Sequence, residues 1–209
     1  MTDDLVLYTN PMSRGRTARW MLEETGQPFR AEIVDFGPAM KASAYLAVNP
    51  MGKVPALMHR GVVVTEVAAI LAYLADAFPQ AGLAPALDDP ARGTYHRWMF
   101  FAAGPFEYAV VNRSFGFEVP PDAKGRVGYG SYENVMDTLD RVLSGTEFIA
   151  GNRFSAADLY LSATLSWGMR MGSIEPRESF ETYCRRHLAR PAATRARAAD
   201  DALVQAKPA

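Results

Sequence analysis

A chain of 209 residues with 22 basic and 23 acidic side chains and 49% hydrophobic residues can bury a substantial core, and its formal charge of −1 supplies no field to draw in nucleic acid or an anionic membrane. Its single cysteine, Cys184, excludes an intramolecular disulfide, a two-cysteine redox motif and a zinc–cysteine cluster, so any thiol chemistry must use a sulfur supplied from outside. No run of about 18 apolar residues occurs, and the N-terminus shows no basic stretch followed by an apolar one; both predict a cytoplasmic protein with a small ligand and neither a membrane nor a nucleic-acid partner.

Along the chain, "LVLY" (5–8) and "RAEIVD" (30–35) predict strands, and "ALMHRGVVV" (56–64) predicts a hairpin turning at Arg60-Gly61. Helices fill the gaps, giving the order β-α-β-α-β-β-α. The clearest of them carries Val67, Ile70, Leu71, Leu74 and Phe78 at helical spacing and ends before Pro79. Residues 80–90, within the Pro- and Gly-rich "PQAGLAPALDDP", predict a linker between a first domain at 1–79 and a second at 91–209. Beyond the linker every strong pattern is helical. Tyr132, Val135, Met136, Leu139, Val142 and Leu143 form one stripe, "DLYLSATLSWGMRM" is apolar nearly all round, and the Ala/Arg-rich tail "RPAATRARAADDALVQ" predicts a last surface helix fraying at Lys207-Pro208.

The first strand breaks at Asn10-Pro11, and a helix follows with Ser13, Arg14, Arg16 and Arg19 close together. A hydroxyl beside the free N–H groups of a helix start is either a plain N-cap or a place to hold an anion. For Arg19, in mid-helix, an ion pair or solvent exposure is expected. Ser155 to Asp158 has capping-box spacing, with Phe154 and Leu159 placed as a hydrophobic staple, and its expected role is folding. His59, His96 and His187 lack metal-ligand spacing, so no metal site is expected.

A mixed-sheet first domain joined to an all-helical second one resembles the cytosolic, serine-type glutathione S-transferases. "VNPMGKVPAL" (48–57), "VVVTEVAAILAYLADAFP" (62–79) and "FIAGNRFSAADLYLSATL" (148–165) carry the likeness. It implies a thioredoxin-like βαβαββα domain and a helical bundle, glutathione as co-substrate, and a homodimer. It also implies a cis peptide bond at Val54-Pro55, where local sequence alone favours a trans proline opening an edge strand. By the same likeness glutathione is held by Lys53, Val54, Pro55, Glu66 and Val67, with Glu66 in the first turn of its helix. Val67 stands where the family has a serine or threonine and offers only its backbone N–H. Ser13 is implied as the residue that activates the sulfur, with Tyr8, Asn10 and Met12 as other positions in or beside the loop. Phe101, Tyr108, Arg113 and Phe115 are the expected wall for a small electrophilic substrate, in a segment that Gly104-Pro105 is expected to kink or break. The competing reading is a family fold that binds a partner or apolar ligand without glutathione turnover.

Overall fold

Short, strongly apolar segments at the N-terminus pair into one four-stranded sheet. In a computed structural model, which describes residues 4–206, the strands are β1 (Val6–Thr9), β2 (Arg30–Ile33), β3 (Ala56–His59) and β4 (Val62–Thr65), ordered β2-β1-β3-β4. β1 runs parallel to β2, as a crossover requires, and antiparallel to β3, while β3 and β4 pair antiparallel, as a hairpin requires. Arg60 and Gly61 both adopt positive φ (54° and 77°), the geometry of a tight two-residue hairpin turn, where the sequence places it. Between β1 and β2 lies α1 (Gly15–Thr25); between β2 and β3 lie two single turns, α2 (Pro38–Lys41) and α3 (Ser43–Leu46); after β4 comes α4 (Val67–Ala77). The α4 stripe is buried as its spacing demands, with Ile70, Leu71 and Leu74 fully inaccessible.

The chain divides into two units, residues 4–83 together with 190–206, and residues 84–189. This corrects the expectation that 91–209 forms a single domain: α10 (Pro191–Gln205) belongs to the first unit, where it packs on α1. Ala192, Ala193 and Ala196 are buried along it, and small side chains let two helices approach closely. Charged pairs then set the register: Arg190 grips both carboxylate oxygens of Glu24 (2.7 and 2.8 Å), Arg195 meets Glu23 (2.9 Å) and Arg16 meets Asp201 (2.7 Å). Arg19 takes the ion-pair alternative, bonded through Nε to Asp200 Oδ1 at 2.9 Å with both side chains buried. An amphipathic pattern announces that a helix has an apolar face without saying which core that face joins. The expected fraying at Lys207-Pro208 lies outside the described residues.

The second unit contains α5 (Ala91–Phe101), α6 (Glu107–Ser114), α7 (Tyr132–Leu143), α8 (Ala156–Arg170) and α9 (Glu178–Leu188). Gly104-Pro105 does not break the helix. Residues Ala102–Phe106 form a π-turn that joins α5 to α6, and a wider turn accommodates a proline ring that would otherwise meet the carbonyl four residues back. α8 is buried from Ala156 through Ser162. At its start Asp158 is fully inaccessible; Oδ2 accepts from Ser155 N–H (2.8 Å) and Ser155 Oγ (2.7 Å), and Oδ1 from Ile149 N–H (2.7 Å) and Tyr183 OH (2.6 Å).

Cys184 is buried in α9, with Sγ 3.5 Å from the Ser162 carbonyl, and burial pushes its thiol up to about 12. A thiol pKa raised in the folded state favours folding fully below the unfolded pKa of about 8.5, and that contribution is lost as pH rises toward the folded value. We therefore expect denaturant midpoints of wild type and Cys184→Ala to converge between pH 8 and about 11 as the wild type loses this contribution. A constant difference over that range would contradict a buried, protonated thiol.

Candidate active site

The loop from β1 into α1 is built by Asn10, whose buried amide donates to the Val34 carbonyl (3.0 Å) while its Oδ1 accepts Met12 N–H (3.0 Å). Asn10 thus braces the loop, and Tyr8 packs beside Tyr45 with ring centroids 5.9 Å apart. Ser13 lies one residue before the helix cap position, which is Arg14. Its hydroxyl donates to the Asn10 carbonyl (2.7 Å) and accepts Gly15 N–H (2.9 Å), so it does satisfy a helix-start donor. The same Asn10 carbonyl also accepts Ser13 N–H at 3.1 Å. The hydroxyl proton can therefore turn elsewhere without leaving that carbonyl unpaired. Gly15 is required at this crossing, since a Cβ there would lie 2.0 Å from Thr9 Oγ1.

Ser13 opens onto a cleft of about 480 Å³ that is also lined by Lys53 and Val54. Met12, Phe36, Pro38 and Met40 supply apolar wall, Arg14 and Lys41 supply further cations, and the lining residues include no carboxylate. Phe36, Pro38 and Lys41 were not foreseen: they come from the irregular second crossover, whose spacing matches no periodic pattern. Lys41 Nζ donates to the carbonyls of Met51 (3.1 Å) and Gly52 (3.2 Å), fixing the loop ahead of Val54. The Val54-Pro55 peptide bond is cis, and Pro55, the residue after the lining Val54, is buried. Among the described residues, no backbone hydrogen bond engages Val54.

β3 and β4 pair Ala56 with Thr65, and continuing that register sets Pro55 opposite Glu66. Glu66 is the N-cap of α4 and not, as expected, within its first turn; it is exposed and holds φ 68°, ψ 124°, a region that costs a non-glycine residue about 1–3 kcal/mol. Val67 is buried at the first helical position, where its N–H has no intrahelical acceptor. An exposed carboxylate and the N–H groups of a helix start therefore lie across from the Lys53–Pro55 segment that leads into the interior strand β3.

The four expected wall residues all lie in the second unit. Phe101 ends α5, edge-on to Trp98 at 5.1 Å, while Tyr108 in α6 and Phe115 just beyond it are exposed. Arg113 is engaged, with Nη2 2.7 Å from Glu175 Oε1 and its guanidinium 4.0 Å above the Tyr132 ring.

A mixed four-stranded sheet with a cis proline directly after the last residue lining a cationic cleft, followed by an all-helical unit, defines a thioredoxin-like domain with an appended helical domain. Residues 12–77 match the family model for the glutathione S-transferase N-terminal domain, and residues 130–186 that for the C-terminal domain. A glutathione S-transferase of Xanthomonas campestris is 31% identical over 172 residues, 79% of this chain and 83% of that protein. A glutathione transferase structure from Methylococcus capsulatus superposes with a TM-score of 0.79 at 31% identity, covering 95% of this chain and 99% of its own. A sphingomonad glutathione S-transferase complexed with glutathione gives 0.76 at 32% identity, over 94% and 98%. The chain belongs to the glutathione S-transferase family.

Proposed function

We propose that glutathione lies extended along Lys53, Val54 and Pro55, with its γ-glutamyl end at Glu66 and the free Val67 N–H and its thiol at Ser13. The protein is a glutathione S-transferase-like transferase with glutathione as its co-substrate. The observation that carries the site assignment is that Ser13, Lys53 and Val54 share one cleft with no opposing carboxylate, which suits a tripeptide bearing two carboxylates.

Free cysteine thiols titrate near 8.5, so the nucleophile must be made in the site. Ser13 can donate its proton to sulfur while Gly15 N–H continues to donate to Ser13 Oγ, and that polarisation strengthens the hydroxyl as a donor. Arg14 and the positive end of α1 add to the potential. The thiolate attacks a small, apolar electrophile, with Phe101, Tyr108, Arg113 and Phe115 as its wall. A homodimer working in the cytoplasm completes the reading; it agrees with the family and with the lack, among the described residues, of any helix long and apolar enough to cross a membrane.

Titration of thiolate absorbance for glutathione with the protein tests this. A bound thiol pKa at least one unit below that of free glutathione is expected. Glu66→Gly should weaken binding about tenfold or more by removing a charged contact, yet leave stability equal or raise it by about 1 kcal/mol, because glycine adopts φ 68° freely. An unshifted pKa and no Glu66 dependence would favour a binding module that does not turn glutathione over.

A further inference from the structure

The Val54 N–H is useful to a ligand only if it points into the cleft, and nothing in Val54 itself dictates that. Val54 and Lys53 share one peptide group, which is trans because the only cis bond among the described residues is the next one. In a trans peptide the C=O and N–H point in opposite directions. Whatever holds the Lys53 carbonyl inward therefore aims the Val54 N–H outward.

Two buried donors do hold it. Tyr45 OH lies 2.6 Å and Asn49 Nδ2 2.8 Å from the Lys53 carbonyl oxygen, and the two residues are 7% and 4% exposed. The Asn49 amide cannot be flipped, since its Oδ1 accepts Met51 N–H at 3.1 Å. Tyr45 is in turn fixed in a small cluster with Val34 and Met40, against which Tyr8, Val48 and the Val54 side chain pack. Burial, with a smaller contribution from Tyr8, pushes the Tyr45 phenol up to about 12 against the opposing Asn49 contact, so it remains a donor at physiological pH. One carbonyl with two buried donors, at the cleft and outside any helix or strand, exceeds what folding the loop requires: Asn49 Oδ1, the Asn49 carbonyl and Lys41 already close the turn.

We propose, building on the glutathione reading above, that Tyr45 and Asn49 are positioning residues that clamp the Lys53 carbonyl so that the Val54 N–H is presented to the backbone of the bound tripeptide. Neither touches the ligand; both act through one peptide plane. They govern affinity for glutathione rather than activation of its thiol, which is assigned to Ser13.

The test combines calorimetry with glutathione, the thiolate titration and the Val54 amide resonance, on wild type, Tyr45→Phe and Asn49→Asp. Tyr45→Phe removes a single hydroxyl, and Asn49→Asp keeps the acceptor for Met51 N–H while replacing the donor to Lys53 with a carboxylate. The expected result is a Kd for glutathione raised about fivefold in Tyr45→Phe and more in Asn49→Asp. The bound thiol pKa should stay unchanged, and the shift of the Val54 amide on adding glutathione should shrink in both variants. Wild-type binding with a Val54 amide that does not respond, or with Kd values unchanged in both variants, would overturn the clamp and leave the glutathione reading standing. A bound thiol pKa that moves with Kd would likewise overturn it, by showing a general disturbance of the site. No binding by the wild type would remove the glutathione reading and the clamp with it.

Discussion

Asp158→Ala is expected to lower the unfolding free energy by about 3–6 kcal/mol, measured from denaturant midpoints. The local capping role alone predicts about 0.5–2 kcal/mol. The larger figure follows from the tertiary partners: truncation strands Ile149 N–H, Ser155 N–H and Tyr183 OH inside the protein, each worth about 1–3 kcal/mol when unpaired. Asp158→Asn tests the cause. It preserves volume but replaces one accepting oxygen with an amide donor that must face another donor, so it should recover little of the loss. At a temperature where Asp158→Ala remains folded, the thiol pKa of bound glutathione should be that of the wild type. A loss below about 1 kcal/mol, or recovery to wild type in Asp158→Asn, would show that the four contacts are not formed in solution.

The contrast between the two magnitudes for Asp158 shows where sequence reasoning ends. Capping-box spacing is a local property, and Ser155 and Asp158 could be paired from their separation alone. That Tyr183 and Ile149 donate to the same carboxylate depends on how α9 and the loop before α8 pack, which no spacing encodes. Strands, the hairpin turn and the α4 stripe were legible for the same reason, since each rests on periodicities of two or 3.6 residues or on a turn that needs positive φ. The destination of α10 was not legible: Ala192, Ala193 and Ala196 announce a face, while its partner is chosen by Arg190, Arg195 and Asp200 meeting α1 from about 165 or more positions away. Within the cleft, Ser13, Lys53 and Val54 were accessible through contiguous motifs. Phe36 and Lys41 enter from an aperiodic crossover, and the inward hold on Lys53 by Tyr45 and Asn49 appears only once side chains are placed.

Ser13→Ala is expected to raise the thiol pKa of bound glutathione by roughly one to two units, corresponding to the loss of one charge-assisted hydrogen bond of about 1.5–3 kcal/mol. Thiolate is the reactive species, so the deficit in turnover should depend on pH in a defined sense. Well below the wild-type bound pKa both enzymes are mostly protonated, and the variant carries about 10–100-fold less thiolate. Above the raised pKa both are ionised and the rates should converge, unless the hydrogen bond also lowers the nucleophilicity of the sulfur, in which case Ser13→Ala overtakes the wild type at high pH. The substitution also removes the acceptor for Gly15 N–H, at a cost of about 0.5–2 kcal/mol in stability. Ser13→Thr separates the two roles: it retains a hydroxyl that can accept from Gly15, so a variant that recovers stability but not the thiol pKa locates catalysis in the orientation of the proton. A bound pKa unchanged in Ser13→Ala would reduce Ser13 to the structural hydroxyl that its contacts with Asn10 and Gly15 already make it, and would leave Arg14 and the α1 terminus to stabilise the anion.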